Sequence, residues 1–235
     1  ERTKFAMPEI GVGLFPDVGF TSVIKDLPKG LGLYIMLTAS QLNASDMRFC
    51  NLVDSCLSYT KMQDFLLDVL EVAWQDDVDE NLALLDSILK RSSYLKEVEN
   101  FPSSKVEGEL EKIQSMTNED NLIKIVDNIM GHAIEDEWFT RGKESLMKGS
   151  PTSAHLIWLQ HLNSSNLSLK EVFNFELNLA IQITRMGDFK EGIRALIIDK
   201  DNKPKWKYDS IKNVQQAWID KHTDLAWEIN PLEDL

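Results

Sequence analysis

The sequence predicts a mainly α-helical chain with one or two short strands near its beginning. Three observations predict it. Helix-start signals recur along the chain, apolar residues return at helical spacing almost throughout the part beyond Tyr59, and the strand-like stretches all lie before it.

Residues 4–15 read as extended, because Gly11 and Gly13 disfavour a helix and the apolar residues are not helically spaced. A lone strand cannot satisfy its own backbone groups, so its partners are expected in sequence that precedes Glu1. Pro16-Asp17 followed by VGFTSVIKDL predicts a helix with Asp17 at or near its N-cap, ended by LPKG. A second helix is expected over roughly 30–38 and a third from about Asn43, while NLVDSCL fits one short strand.

Beyond Tyr59 the pattern is helical. Thr60 with Gln63, Ser104 with Glu107 and Ser168 with Glu171 each fit a capping box, in which a hydroxyl and a Glu or Gln reciprocally satisfy free backbone N–H groups. Ser150-Pro151 adds a cap followed by Pro at the first helical position. Leu66, Leu67, Leu70 and Trp74 form one apolar face, and Leu82, Leu85, Ile88 and Leu89 another, so these helices are expected to pack on something. The acidic, polar stretch over about 76–121 reads as loops and helix ends, not as a boundary between independent domains. A long amphipathic helix is predicted from Ser168 to Gly187, DFKEGIRALIID as a shorter one, KDNKPKW as a polar turn, and a last helix from about Asp209.

Composition narrows the function classes. Lys plus Arg number 25 against 38 Asp plus Glu, a net charge of −13 that repels phosphate backbones and anionic lipid. Nucleic acid and membrane are therefore not expected as partners. The most apolar run, GLGLYIMLTA, is half of the about 20 residues that a membrane span needs and reads as a core helix. ERTKF has neither the apolar region of a signal peptide nor the Ser and Arg richness of a transit sequence. Cys50 and Cys56 are too few for a disulfide framework or a metal site and read as buried thiols.

Chemistry concentrates in FAMPEIGVGLFPDVGF, residues 5–20, where Glu9 and Asp17 stand in an apolar, glycine-punctuated segment without Lys, Arg or His. Taken singly, Asp17 fits an N-cap and Glu9 an exposed turn beside Pro8. If Phe5, Met7, Ile10, Val12, Leu14, Phe15 and Val18 bury the segment, both acids are desolvated and repel one another. That fits them for general acid or base work near neutrality. Gly11, Gly13 and Gly19 permit close approach of a substrate or a backbone.

FAMPEIGVGLFPDVG resembles the active-site stretch of the 3-hydroxyisobutyryl-CoA hydrolases, a branch of the crotonase (enoyl-CoA hydratase/isomerase) superfamily. LGLYIMLTASQLNASDMRFCNLVD, KGSPTSAHLIWLQ and SLKEVFNFELNLAIQITRMGDFKEGIRALIIDKDNKPKW continue it in the family's order over nearly the whole chain. The resemblance implies the C-terminal part of an α/β crotonase-like (ClpP/crotonase) fold, with residues 1–59 closing the core that bears the carboxylates and 60–235 forming a helical C-terminal region. It implies hydrolysis of an acyl-CoA thioester, 3-hydroxyisobutyryl-CoA of valine catabolism, with CoA as part of the substrate and no separate cofactor. Glu9 would attack the thioester carbonyl or activate water, and Asp17 would position or deprotonate that water or protonate the leaving thiolate. The oxyanion donors would lie in a missing N-terminal half of the same fold, so this chain alone is expected to be inactive. The location implied is the mitochondrial matrix in a eukaryote and the cytoplasm in a bacterium, and a homo-oligomer is compatible with the family.

Two stretches depart from the family pattern. Phe20 stands where a further glycine usually follows PDVG, and FELNL places Leu177 and Asn178 where an aromatic and an arginine are usual. They keep open a non-catalytic scaffold or assembly subunit on the same fold. Another acyl-CoA hydratase or isomerase is the third reading, which aspartate at 17 disfavours.

Other residues offer less. His155 and His161 are separated by roughly 600° of helical rotation and share no metal-binding face. His132 and His222 lack companions, Ser150 and Ser153 match no nucleophile motif, and Trp74, Trp158 and Trp218 read as core. DKDNKPKWKYD reads as a solvated turn.

Overall fold

The computed structural model describes residues 3–91, 101–133 and 136–234. These form two compact units, the larger made of residues 6–41 and 109–235, the smaller of 1–5 and 42–108. Of the polar stretch over 76–121, residues 92–100 lie outside the described ones.

The larger unit is built around helix α2 (Leu31–Thr38), every residue of which is buried. It has no polar face to turn to water: α8 (Glu137–Lys148), α9 (Pro151–Asn163) and the 3-10 turns Glu9–Val12 and Ile24–Asp26 all pack on it. Each of Leu31, Leu33, Ile35 and Leu37, withdrawn from water, is worth about 1.5–3 kcal/mol. Gly142 lets α8 come close, since a Cβ there would stand 3.3 Å from the Tyr34 hydroxyl oxygen and 2.9 Å from Ser40 Oγ. The Tyr34 ring stacks on Trp138 at 5.5 Å and meets Phe139 edge-on at 6.0 Å. Helix α10 (Leu169–Met186), opened by the Ser168–Glu171 capping box, leads through Gly187 into α11 (Asp188–Ile193) and a π-helical turn, Arg194–Ile198. Helix α12 (Gln216–Thr223) returns onto α10.

In the smaller unit, Phe5 and Leu42 form an isolated antiparallel bridge, with N···O distances of 2.9 and 2.8 Å. Asn43 caps α3 (Ala44–Phe49) through a capping box with Asp46. The buried Asp46 carboxyl also accepts from Ser104 Oγ at 2.9 Å and Val106 N at 2.8 Å, fixing the start of α6 (Lys105–Thr117). Helices α4 (Met62–Leu70) and α5 (Val78–Leu89) pair, joined by an Arg91–Asp68 ion pair at 2.7 Å.

Several expectations need correction. Among the described residues there is no strand. The 4–15 segment bridges only at Phe5 and then bonds to itself, Gly11 N to Pro8 O at 2.9 Å and Leu14 N to Glu9 O at 3.0 Å, because no neighbouring strand offers it a ladder. NLVDSCL is a turn, bends and irregular loop for the same reason. Lys61, not Thr60, occupies the N-cap of α4, without a side-chain cap, since Tyr59–Lys61 is already a 3-10 turn. The last helix starts at Gln216 after a 3-10 turn at Ile211–Asn213. Leu66, Leu67 and Leu70 are exposed, as is Trp74 at 46%, so the α4 face expected to be packed is open. Cys50 is buried, its thiol raised to about 12 by burial, while Cys56 is half-buried.

Candidate active site

The two sequence-predicted acids lie on consecutive turns of the larger unit. Glu9 opens a 3-10 turn, Glu9–Val12, that ends at Gly13 in the left-handed region with φ +74°. This turn is clasped from two sides. Ser150 N, at the start of α9, donates to Ile10 O at 2.9 Å, and the fully buried Ile10 side chain presses on Gly149. On the other side α11 comes so close that a Cβ on Gly192 would overlap the Val12 carbonyl, and one on Gly13 would meet Asp188 O at 2.5 Å. Backbone proximity of that kind fixes where Glu9 starts.

Asp17 does not cap the next helix. Its carbonyl accepts from Phe20 N at 3.0 Å, closing a four-residue turn whose central residues, Val18 and Gly19, have φ +53° and +85°. Two positive φ values are the signature of a type I′ turn. Gly19 is the N-cap of α1 (Phe20–Val23), which leaves the Asp17 carboxyl free of that duty. Val18, expected to help bury the segment, is 79% exposed, whereas Phe20 is buried as the first residue of α1.

The turn is held from outside by two buried residues. Glu176 on α10 accepts from Gly19 N at 2.6 Å with Oε2 and from Thr21 N at 2.9 Å with Oε1. Gln160 on α9 donates Nε2 to the Pro16 carbonyl and to Thr21 Oγ1. Neither was among the expected site residues. The signal was present for Glu176, which falls on the stripe Val172, Glu176, Leu179, Ile183, where an otherwise apolar helix face carries one acid.

Three carboxyl groups thus share one region. Burial pushes the Glu9 carboxyl up, its own backbone N–H offsets part of this, and the charge of Asp17 adds to it. Glu9 Oε2 is buried without a hydrogen-bond partner among the described residues. Glu176 is likewise raised, burial outweighing the bonds from Thr21 and Gly19, with Asp17 again adding. Asn178, at the departure noted above, is buried and serves the fold. Its Nδ2 donates to His222 O at 3.3 Å and its Oδ1 accepts from Ala226 N at 2.8 Å. An open cleft of about 440 Å³, lined in part by Ser40, Trp138, Arg141 and Lys148, includes neither Glu9 nor Asp17. Among the described residues no group of three or more His, Cys, Asp or Glu is placed to hold a metal ion.

The family model described as enoyl-CoA hydratase/isomerase matches residues 1–223. The chain belongs to the enoyl-CoA hydratase/isomerase (crotonase) family. Among its curated relatives, the mitochondrial 3-hydroxyisobutyryl-CoA hydrolase of Xenopus laevis is 33% identical over 221 residues, covering 94% of this chain and 55% of the relative. The human protein of the same name is 30% identical over 222 residues, with 94% and 56% covered. The chain spans about half the length of the curated relatives it matches. Two solved structures share the fold. A carnitinyl-CoA dehydratase from Mycobacterium thermoresistibile has a TM-score of 0.80 at 21% identity, over 99% of this chain and 62% of that one. An enoyl-CoA hydratase from Rhodobacter sphaeroides has 0.73 at 20%, over 95% and 60%. No helix among the described residues is long and apolar enough to cross a membrane.

Proposed function

We propose that the protein carrying this chain hydrolyses an acyl-CoA thioester, with 3-hydroxyisobutyryl-CoA as the substrate and Glu9 and Asp17 as its catalytic residues. The observation that carries this reading is the Glu9 carboxyl, raised by burial and by Asp17, with Oε2 buried and unpartnered. A buried carboxyl oxygen left unpartnered is costly to the fold, and a role on substrate or water is what offsets the cost. In the hydrolysis, water oxygen bonds to the carbonyl carbon and the C–S bond breaks. Either Glu9 draws a proton from the attacking water, which Asp17 orients, and that proton ends on the CoA thiolate; or Glu9 itself attacks and expels the thiolate, and Asp17 deprotonates the water that then opens the acyl–Glu9 anhydride and hands that proton to the thiolate. Negative charge building on the carbonyl oxygen needs fixed backbone N–H donors, each worth ~3 kcal/mol. The reading assigns these donors to the part of the relatives' length that this chain does not span, so residues 1–235 alone are expected to be inactive. The relatives' names further support a mitochondrial location in a eukaryote.

A second reading, a non-catalytic assembly subunit, is favoured by Phe20 and by Asn178, whose amide is committed to His222 and Ala226. One experiment separates the two. Thiol release from 3-hydroxyisobutyryl-CoA by the full-length protein is measured with Glu9→Gln and Asp17→Asn in turn, each expected to lower kcat by about 10²–10⁴-fold. An inactive wild type, or full activity in both variants, would refute the hydrolase.

A further inference from the structure

The Asp17 turn is strained and is held by a buried carboxyl. Val18 is β-branched, exposed and in the left-handed region, where its Cβ crowds the backbone. Such a conformation persists only where its surroundings over-determine it. The surroundings are Gln160 on one side and Glu176 on the other, the latter 157 residues from Gly19 in sequence. Capping a four-residue helix does not call for a buried carboxyl from another helix, because Ser or Asn at the cap position itself would serve. Both Glu176 oxygens are nonetheless committed to amides that flank the turn, and a Cβ on Gly19 would stand 3.2 Å from Phe173 of the same helix. Helix α10 therefore grips the turn with one carboxyl and one aromatic side chain.

We propose that Glu176 is a positioning residue: by clamping the amides of Gly19 and Thr21 it keeps the Asp17–Phe20 turn left-handed and so fixes where the Asp17 side chain starts. This rests on the hydrolase reading for its catalytic purpose, but not for the clamp itself. Glu176→Gln tests it, because the amide keeps one acceptor and turns an N–H donor towards a backbone N–H.

Two readouts on the full-length protein are decisive. In Glu176→Gln, kcat for the thioester is expected to fall about 10-fold or more with KM within about twofold, since misplacement of a reacting group costs rate more than binding. Hydrogen exchange at Gly19 or Thr21 is expected to speed up about 10-fold or more while the rest of α10 stays protected. A folded variant with unchanged kcat, or with both amides still protected, overturns the proposal. If the glutamine variant does not fold, Glu176→Asp, which keeps the carboxyl but retracts it by one methylene, is measured by the same two readouts with the same outcomes expected. A wild type without thioester turnover removes the catalytic purpose and refutes the hydrolase reading, and the exchange rates then test the clamp alone.

Discussion

Ser150 and Asp188 are joined by a buried hydrogen bond, the Ser150 hydroxyl donating to Asp188 Oδ2 at 2.7 Å. Ser150 caps α9 by accepting from Ser153 N, Asp188 opens α11, and the turn that carries Glu9 touches both. Asp188 Oδ1 also accepts from Lys207 N at 2.8 Å. Asp188→Ala leaves a buried hydroxyl and an amide without an acceptor, so chemical denaturation is expected to show a loss of about 2–4 kcal/mol. A loss below about 0.5 kcal/mol would mean that the clasp around Glu9 is not held here.

Gly192 is the closest approach of α11 to the Glu9 turn. Its missing Cβ leaves room for the Val12 carbonyl, an atom that cannot swing aside as a side chain can. Gly192→Ala is expected to destabilise by about 1–3 kcal/mol or more. Gly108, within α6, has nothing within 4 Å of its Cβ position, and Gly108→Ala is expected to stabilise by about 0.5–1 kcal/mol through helix propensity. Opposite signs at two helical glycines, read by thermal or urea unfolding, check the packing directly.

Val18→Gly should stabilise the protein. A left-handed conformation costs a β-branched residue about 1–2 kcal/mol, and glycine returns about 0.4–1 kcal/mol of that through a freer unfolded chain. The side chain is 79% exposed, so little packing is lost. A gain of about 0.5–1 kcal/mol in unfolding free energy is expected, and a loss would show that the valine side chain has a contact of its own.

Glu9→Gln should also stabilise, with a definite pH signature. The folded-state pKa of Glu9 is raised, chiefly by burial, so near neutrality ionisation favours the unfolded chain. This penalty is absent below the unfolded value of about 4.3 and grows as pH rises towards the folded one. The glutamine variant is therefore expected to unfold at a higher temperature than wild type at pH 7, the gap closing near pH 4. A gap that persists at low pH would assign the gain to packing.

Local chemistry explains which parts of this architecture could be read in the sequence. The long helix was legible because Ser168, Glu171 and Gly187 carry their signals within a few residues, and α2 because a run of apolar residues about ten long has few alternatives. The failures are non-local. Residues 4–15 have strand-like composition, but a strand exists only with a neighbour, and the segment turned back on itself. Asp17 had the right type for an N-cap, yet Glu176, far along the chain, took the Gly19 amide it would have bonded, and Gly19 became the N-cap. The apolar residues around Glu9 point to its burial and one acid on an apolar face singles out Glu176, whereas the joint grip of Gln160 and Glu176 on the loop depends on how α9 and α10 pack.

Three histidines make the fold acid-sensitive. The pKa values of His155, His161 and His222 are all lowered, burial being the largest cause in each. For His222 a bond to the Trp218 carbonyl and the charge of Asp188 oppose the shift, and for His155 the Ile211 carbonyl does so. His161 has no such relief: its Nδ1 is buried without a partner among the described residues, and its ring stacks on Trp158 at 5.4 Å. A group whose folded pKa lies below its unfolded one binds more protons when unfolded, so its stabilisation is complete above about pH 6.5 and is lost as pH falls below that value. Each such group contributes at most about 1.4 kcal/mol per pH unit. Glu9 and Glu176, raised instead of lowered, act with the opposite sign, so the raw pH profile mixes the two. The difference between wild type and His161→Phe isolates one histidine, because phenylalanine keeps the stacking shape and removes the proton site. Urea unfolding at pH 7.5, 6.5 and 5.5 is expected to show the phenylalanine variant gaining on wild type only at the two lower values. A constant offset across all three would show that His161 does not titrate on unfolding.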